Sequence, residues 1–133
     1  MTEADRVRLL VIILWMTAAH SFFTGVMLFL QPAAVLRWTG FAPVGEAFFP
    51  AQGGVFHVLM SVLYAAAALR RTVWRLAAAF IIFVKASAAL FLIAYYVFAS
   101  PVWLILLSGV ADGMIAVILA FFHGEGRRTY ASG

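Results

Sequence analysis

The strongest constraint on this chain is the run from Leu76 to Phe98, in which Lys85 is the only charged residue. At a rise of about 1.5 Å per residue, a helix over this run crosses a hydrocarbon core about 30 Å thick. A cation near the centre of such a span costs about 2.5–3.5 kcal/mol on insertion scales. The lysine therefore has to face a protein interior and find a partner there. Three further apolar runs, Leu9–Leu30, Pro50–Leu69 and Val102–Phe122, are long enough to accompany it, and of these only the last carries a charge, Asp112. The chain is 66% hydrophobic and 11% charged, where soluble domains average about half and a quarter. These runs predict an all-α membrane protein, a single domain over residues 1–133 built as an antiparallel bundle of four transmembrane helices.

The segments between the runs read as connections. Residues 31–49 contain Pro32, Gly40, Pro43 and Gly45, which break any continuous helix. Within them, Pro32 to Trp38 predicts a short interfacial helix, with Arg37 and Trp38 at headgroup level. Arg70–Arg75 reads as a tight basic turn, and Ala99-Ser100-Pro101 as a short hairpin connection whose proline opens the last span. The tail from His123 is polar and contains glycine, so it is expected to fray. Arg6 and Arg8 before an apolar run resemble the start of a signal peptide, but the run continues well past Thr17-Ala18-Ala19, which favours a retained span. Of the nine lysines and arginines, Arg6, Arg8, Arg70, Arg71, Arg75, Arg127 and Arg128 fall on one side of the four spans and Arg37 on the other. That bias predicts cytoplasmic N- and C-termini, with the loop over 31–49 on the opposite side of the membrane. Basic residues at span ends, rather than on one face, make the net charge of +4 a topology signal and not a nucleic-acid signature.

Counting residues from the cytoplasmic ends places Lys85, Asp112, His20 and His57 at depths of about 14, 15, 17 and 18 Å. Each span thus brings one ionisable residue to the same midplane. Helical spacing groups other polar residues with them. Thr17, His20, Ser21 and Thr24 form one stripe, Gly53, His57, Ser61 and Tyr64 a second, and Ser108 with Asp112 a third. Gly109 and Gly113 form a G-x-x-x-G beside the aspartate, which allows close approach of a neighbouring helix. The predicted polar core is therefore His20, His57, Lys85, Asp112, Thr17, Ser21, Ser61 and Ser108.

Two readings of this core stand side by side. Lys85 and Asp112 form either a salt bridge that fixes the register of a helical hairpin or a proton or ligand site. His20 and His57, at equal depth on adjacent helices, are either hydrogen-bonded core residues or a functional pair, as axial ligands of a b-type haem or ligands of another metal, or in proton or ligand handling. Apart from that pairing, no ligand cluster for a metal is evident. The chain has no cysteine, so disulfides and thiolate chemistry are excluded. It carries no nucleophile elbow, zinc-protease helix, P-loop or dinucleotide fingerprint, and no residue reads as catalytic.

The order of Gln52-Gly53-Gly54 opening an alanine-rich helix, an arginine turn, a lysine-bearing helix, a Pro-Trp start and Gly-x-x-Asp-Gly in the last helix resembles the small four-helix DoxX-like membrane proteins. The loop Pro32-x-x-Val35-Leu36-Arg37-x-x-Gly40 is similar to theirs, and the likeness covers roughly Pro32 to Phe122. It implies a four-helix bundle in a bacterial inner membrane, with the loop over 31–49 periplasmic, and an association with membrane redox complexes, some of them quinone-linked. His20 and His57 have no counterpart in that pattern. The expectation is an accessory or lipophilic-ligand subunit, with a quinone as the candidate ligand and the bilayer, other membrane subunits or further copies of the chain as partners. Haem binding through His20 and His57, and proton-coupled transport of a small solute by an oligomer, are the alternatives.

Overall fold

The computed structural model describes residues 2–42, 45–69 and 74–131. Five helices follow in order: α1 (Glu3–Leu30), α2 (Ala33–Thr39), α3 (Phe48–Leu69), α4 (Trp74–Phe98) and α5 (Trp103–Ala131). All except α2 contain a span long and apolar enough to cross a membrane. Only 28% of the apolar window in each span is buried inside the bundle. In water the remainder would be one nearly continuous apolar surface, far beyond what a soluble monomer exposes. Phe22, Phe23, Phe80, Phe83 and Phe91 all lie on that outer face, where acyl chains would cover them.

Local chemistry sets the helix ends. α1 begins at Glu3 rather than at Leu9 because Thr2 and Asp5 form a capping box. The Asp5 amide donates to Thr2 Oγ1 at 3.2 Å, and the Thr2 amide donates to Asp5 Oδ2 at 2.9 Å. α1 stops at Gln31, which adopts a left-handed conformation with φ 43° and returns its amide to the Met27 carbonyl. α2 stops at Gly40, with φ 85°, while the Phe41 amide reaches back to the Leu36 carbonyl at 2.9 Å. This is the double closure that glycine supports at a helix end. Glu46 accepts from the Phe48 amide at the start of α3, and Pro50 occupies the first turn, where a missing donor does no harm. α5 starts at Trp103, so Pro101 precedes the helix instead of opening it. At its other end α5 continues to Ala131, through the tail expected to fray. Gly124 and Gly126 weaken a helix by about 1 kcal/mol each, but without a proline nothing terminates it. The basic turn expected over Arg70–Arg75 falls largely outside the described residues.

The bundle is two helical pairs, α1 with α3 and α4 with α5, each packed far more closely than the pairs pack on each other. Glycine makes the close approach possible. A Cβ on Gly25 would lie 2.7 Å from the Gly54 carbonyl oxygen, and one on Gly54 would lie 2.7 Å from the Gly25 carbonyl oxygen. On the other pair, a Cβ on Gly109 would come within 3.0 Å of the Ile93 side chain. Between the pairs, side chains interlock instead. Leu14, Ala18, Met60, Tyr64, Ala67, Ala77, Ile81 and Leu119 form one buried cluster drawn from all four long helices. At the opposite end the pairs are tied by α2. Its Trp38 stacks edge-on against Trp103 of α5 at 5.7 Å, and Thr39 is buried.

The glycine contacts give a graded prediction. Gly25→Ala forces backbone apart and should destabilise by about 1–3 kcal/mol. In Gly113→Ala the new methyl meets only the Ala89 Cβ, at 3.6 Å, and should be close to neutral. Thermal unfolding of both variants in the same detergent checks the contrast; equal melting temperatures would contradict it.

Candidate functional site

Lys85 comes from the middle of α4, on the face that also presents Ile81 and Ala89 to the interior. This i, i+4 spacing makes it a core position that happens to carry an ammonium. Its Nζ donates to Asp112 Oδ1 at 2.5 Å. Asp112 stands on the face of α5 that carries Ile105, Gly109, Ala116 and Leu119, all buried. Lys85 is 3% exposed and Asp112 7%, so the pair is shielded from its surroundings. In such a setting the mutual attraction offsets a desolvation cost of several kcal/mol per ion, and removing one partner leaves the other stranded.

The second contact of Lys85 lies on α3. Its ammonium sits over the Tyr64 ring, 5.6 Å from the ring centre, within the range of a cation–π interaction. Tyr64 is 1% exposed and is among the largest fully buried side chains. Through these two contacts Lys85 links three helices and joins the α4–α5 pair to the α1–α3 pair. The sequence stripe Gly53, His57, Ser61, Tyr64 contains the signal for this, since Tyr64 shares a face with His57. Its aromatic ring, however, reads as packing until the lysine is seen above it.

Ser21 and His57 form the polar contact within the α1–α3 pair. The Ser21 hydroxyl donates to the His57 carbonyl at 3.0 Å and also lies 3.2 Å from His57 Nδ1. A hydroxyl has one hydrogen. With it committed to the carbonyl, Nδ1–H is the donor to Ser21 Oγ and Nε2 keeps its lone pair. Serine thereby fixes the imidazole tautomer, the kind of support that orients a histidine for a further contact.

The remaining members of the predicted core divide. Thr17 and Ser61 are buried, but each donates to its own helix, Thr17 to the Ile13 carbonyl at 2.8 Å and Ser61 to the Val58 carbonyl at 2.6 Å. Thr24 does the same to the His20 carbonyl. Such bonds satisfy the hydroxyl locally and leave it no proton to offer elsewhere. Ser108 is half-buried one turn from Asp112. His20 departs from the expected inward stripe. It is exposed, because at about 100° per residue it stands well round the helix from Ser21. Of the four predicted midplane residues, Lys85 and Asp112 meet directly, His57 pairs with Ser21, and His20 lies on the exposed side of α1.

An apolar groove of about 340 Å³ runs along the α1–α3 crossing, lined by Gly25, Phe29, Gly54 and Val58 among others. None of the four ionisable residues lines it. Among the described residues no three of His, Asp and Glu gather as a metal centre needs. Comparison with protein-family models, with curated proteins and with solved structures returns no match, so the site is read from its own chemistry.

Lys85→Met and Asp112→Asn, made singly, should each lose about 3–5 kcal/mol by leaving an unpaired buried group. The double variant Lys85→Met/Asp112→Asn should recover most of that loss. Folded yield and thermal melting of the three proteins measure it, and additive losses in the double variant would contradict a coupled pair.

Proposed function

We propose that this protein is a small-ligand-binding subunit of a membrane redox assembly, and that the Lys85–Asp112 region holds the polar head of a lipophilic molecule of the quinone type. The observation that carries this reading is the buried Lys85–Asp112 ion pair with the Tyr64 ring beside it. Lys85 uses one of its three N–H donors on Asp112, and an ammonium can donate to a carbonyl oxygen while keeping its salt bridge. Tyr64 offers an aromatic face and a hydroxyl, and His57 an imidazole whose tautomer Ser21 fixes. These are the convergent polar groups, in apolar surroundings, that orient a small lipophile. An intramembrane ionisable pair is a default marker of such a site. The resemblance to DoxX-like proteins supports the same assignment, and the arginine bias favours cytoplasmic termini. No hydrolytic or transfer chemistry is assigned: the role is binding and positioning.

The test uses the double variant, in which the pair is removed without stranding a charge. Wild-type protein in lipid nanodiscs, titrated with decylubiquinone, should quench intrinsic fluorescence saturably. Lys85→Met/Asp112→Asn should stay folded and lose that saturation, and Tyr64→Phe should weaken it. Unchanged binding in the double variant would overturn the assignment. A Soret band in protein from haem-replete cells, lost in His57→Ala, would replace the quinone reading with a haem one.

A further inference from the structure

We infer that this protein assembles with a second copy of itself, the two α1 helices packing in parallel through their outward faces, and that the His20 rings of the two copies hydrogen-bond to each other near the bilayer midplane. The inference stands apart from the ligand-binding reading above and concerns the side of α1 turned away from the bundle.

The outward face of α1 has its own order. Leu9, Ile13, Met16, His20, Phe23 and Met27 follow one another at alternating steps of four and three residues. This is the 3.5-residue period of helices that wind round each other in a left-handed supercoil. All are exposed except Ile13, which is half-buried. Leu14, Thr17, Ala18, Ser21 and Gly25 form the buried face of the same helix. At about 100° per residue the two faces stand on roughly opposite sides of α1, so the stripe points away from the bundle interior.

An apolar stripe alone is a surface that acyl chains cover. His20 makes lipid the wrong occupant. It lies near the middle of the apolar run Leu9–Leu30, where hydrocarbon offers neither donor nor acceptor to an imidazole. Among the described residues its ring makes no hydrogen bond, since Thr24 donates to the His20 carbonyl and not to the ring. A neutral imidazole donates at one nitrogen and accepts at the other, so it is the complement of a second imidazole. Copies of one chain enter the membrane in the same orientation, which makes their α1 helices parallel. A two-fold axis along the membrane normal then sets each residue of the stripe opposite itself. His20 meets His20 at equal depth, one ring donating and the other accepting. A single polar residue in an otherwise apolar seam of this period fixes register and copy number. Met16 and Met27 flank it on the stripe, and their unbranched side chains adapt to an irregular contact. A second copy is therefore the occupant whose chemistry answers that of the stripe at this depth.

The chain has no cysteine, so single cysteines report the contact directly. In lipid bilayers, oxidation of Met16→Cys and of Phe23→Cys should give disulfide-linked dimers, whereas Leu90→Cys, at an exposed position of α4, should not. Förster transfer between labelled copies in liposomes, followed as lipid dilutes the protein, should show a dimer that His20→Leu weakens by about threefold to twentyfold, the worth of one interhelical hydrogen bond in a membrane. His20→Asn, whose amide also donates and accepts, should restore most of the association, which a purely steric role of the ring would not produce. Absence of cross-linking at Met16→Cys and Phe23→Cys, equal cross-linking at Leu90→Cys, or association of His20→Leu as tight as that of the wild type would each overturn the proposal. A Met16→Cys product in native membranes whose mass identifies a different polypeptide would overturn it in favour of another subunit on this face.

Discussion

The structure depends on the contact between Lys85 and Asp112. It lies inside the α4–α5 pair, shielded from solvent and lipid, where an unpaired charge is intolerable. Because both residues sit near the middle of long helices, the contact fixes the sliding register of one helix on the other. A one-turn slip moves a side chain by about 5.4 Å, which would separate the two groups completely. The ammonium then reaches Tyr64 on α3, so the same residue that sets the register of one pair also orients that pair against the other.

Glycine and aromatic residues supply the complementary constraints. Lipid tails are as apolar as leucine, so helices in a membrane gain little from burial alone and rely on close packing and polar contacts. Gly25 with Gly54, and Gly109 against Ile93, bring backbones together within each pair. Across the seam the larger side chains Tyr64, Ile81, Leu14 and Leu119 take over. The result is two rigid units joined at one end by an apolar cluster, at the other by α2, and in between by a polar contact.

Much of this was legible in the residue order. Long apolar runs defined four spans, and depth counting put Lys85 and Asp112 at one level, where they meet, because helical rise is nearly invariant. The short helix after Pro32 was visible from its proline and its Arg-Trp end. Four features were harder to read. The start of α1 at Glu3 was hidden in Thr2 and Asp5, a capping box with aspartate in the place usual for glutamate. The outward turn of His20 depends on how α1 is rotated about its axis. A stripe that contains both Ser21 and His20 is wide enough that one edge has to leave the interior. Tyr64 as the partner of Lys85 follows from the packing of α3 on α4, and nothing in either helix alone specifies that angle. Thr17 and Ser61 read as site residues because hydroxyls mark polar faces, whereas bonding to the helix's own carbonyls is equally compatible with that spacing.

The central claim is that a lysine and an aspartate in mid-membrane form one coupled unit that both specifies the fold and offers a polar head-group site. Its most direct test is a solid-state NMR distance between ¹⁵N-labelled Lys85 Nζ and the ¹³C-labelled carboxyl carbon of Asp112 in lipid bilayers. The account predicts a separation of about 3–4 Å, as expected for a direct charge-assisted hydrogen bond. It also predicts a change in the Lys85 signal when decylubiquinone is added. Absence of dipolar coupling between the two sites would contradict the pair, and a Lys85 signal indifferent to the quinone would contradict its role in binding.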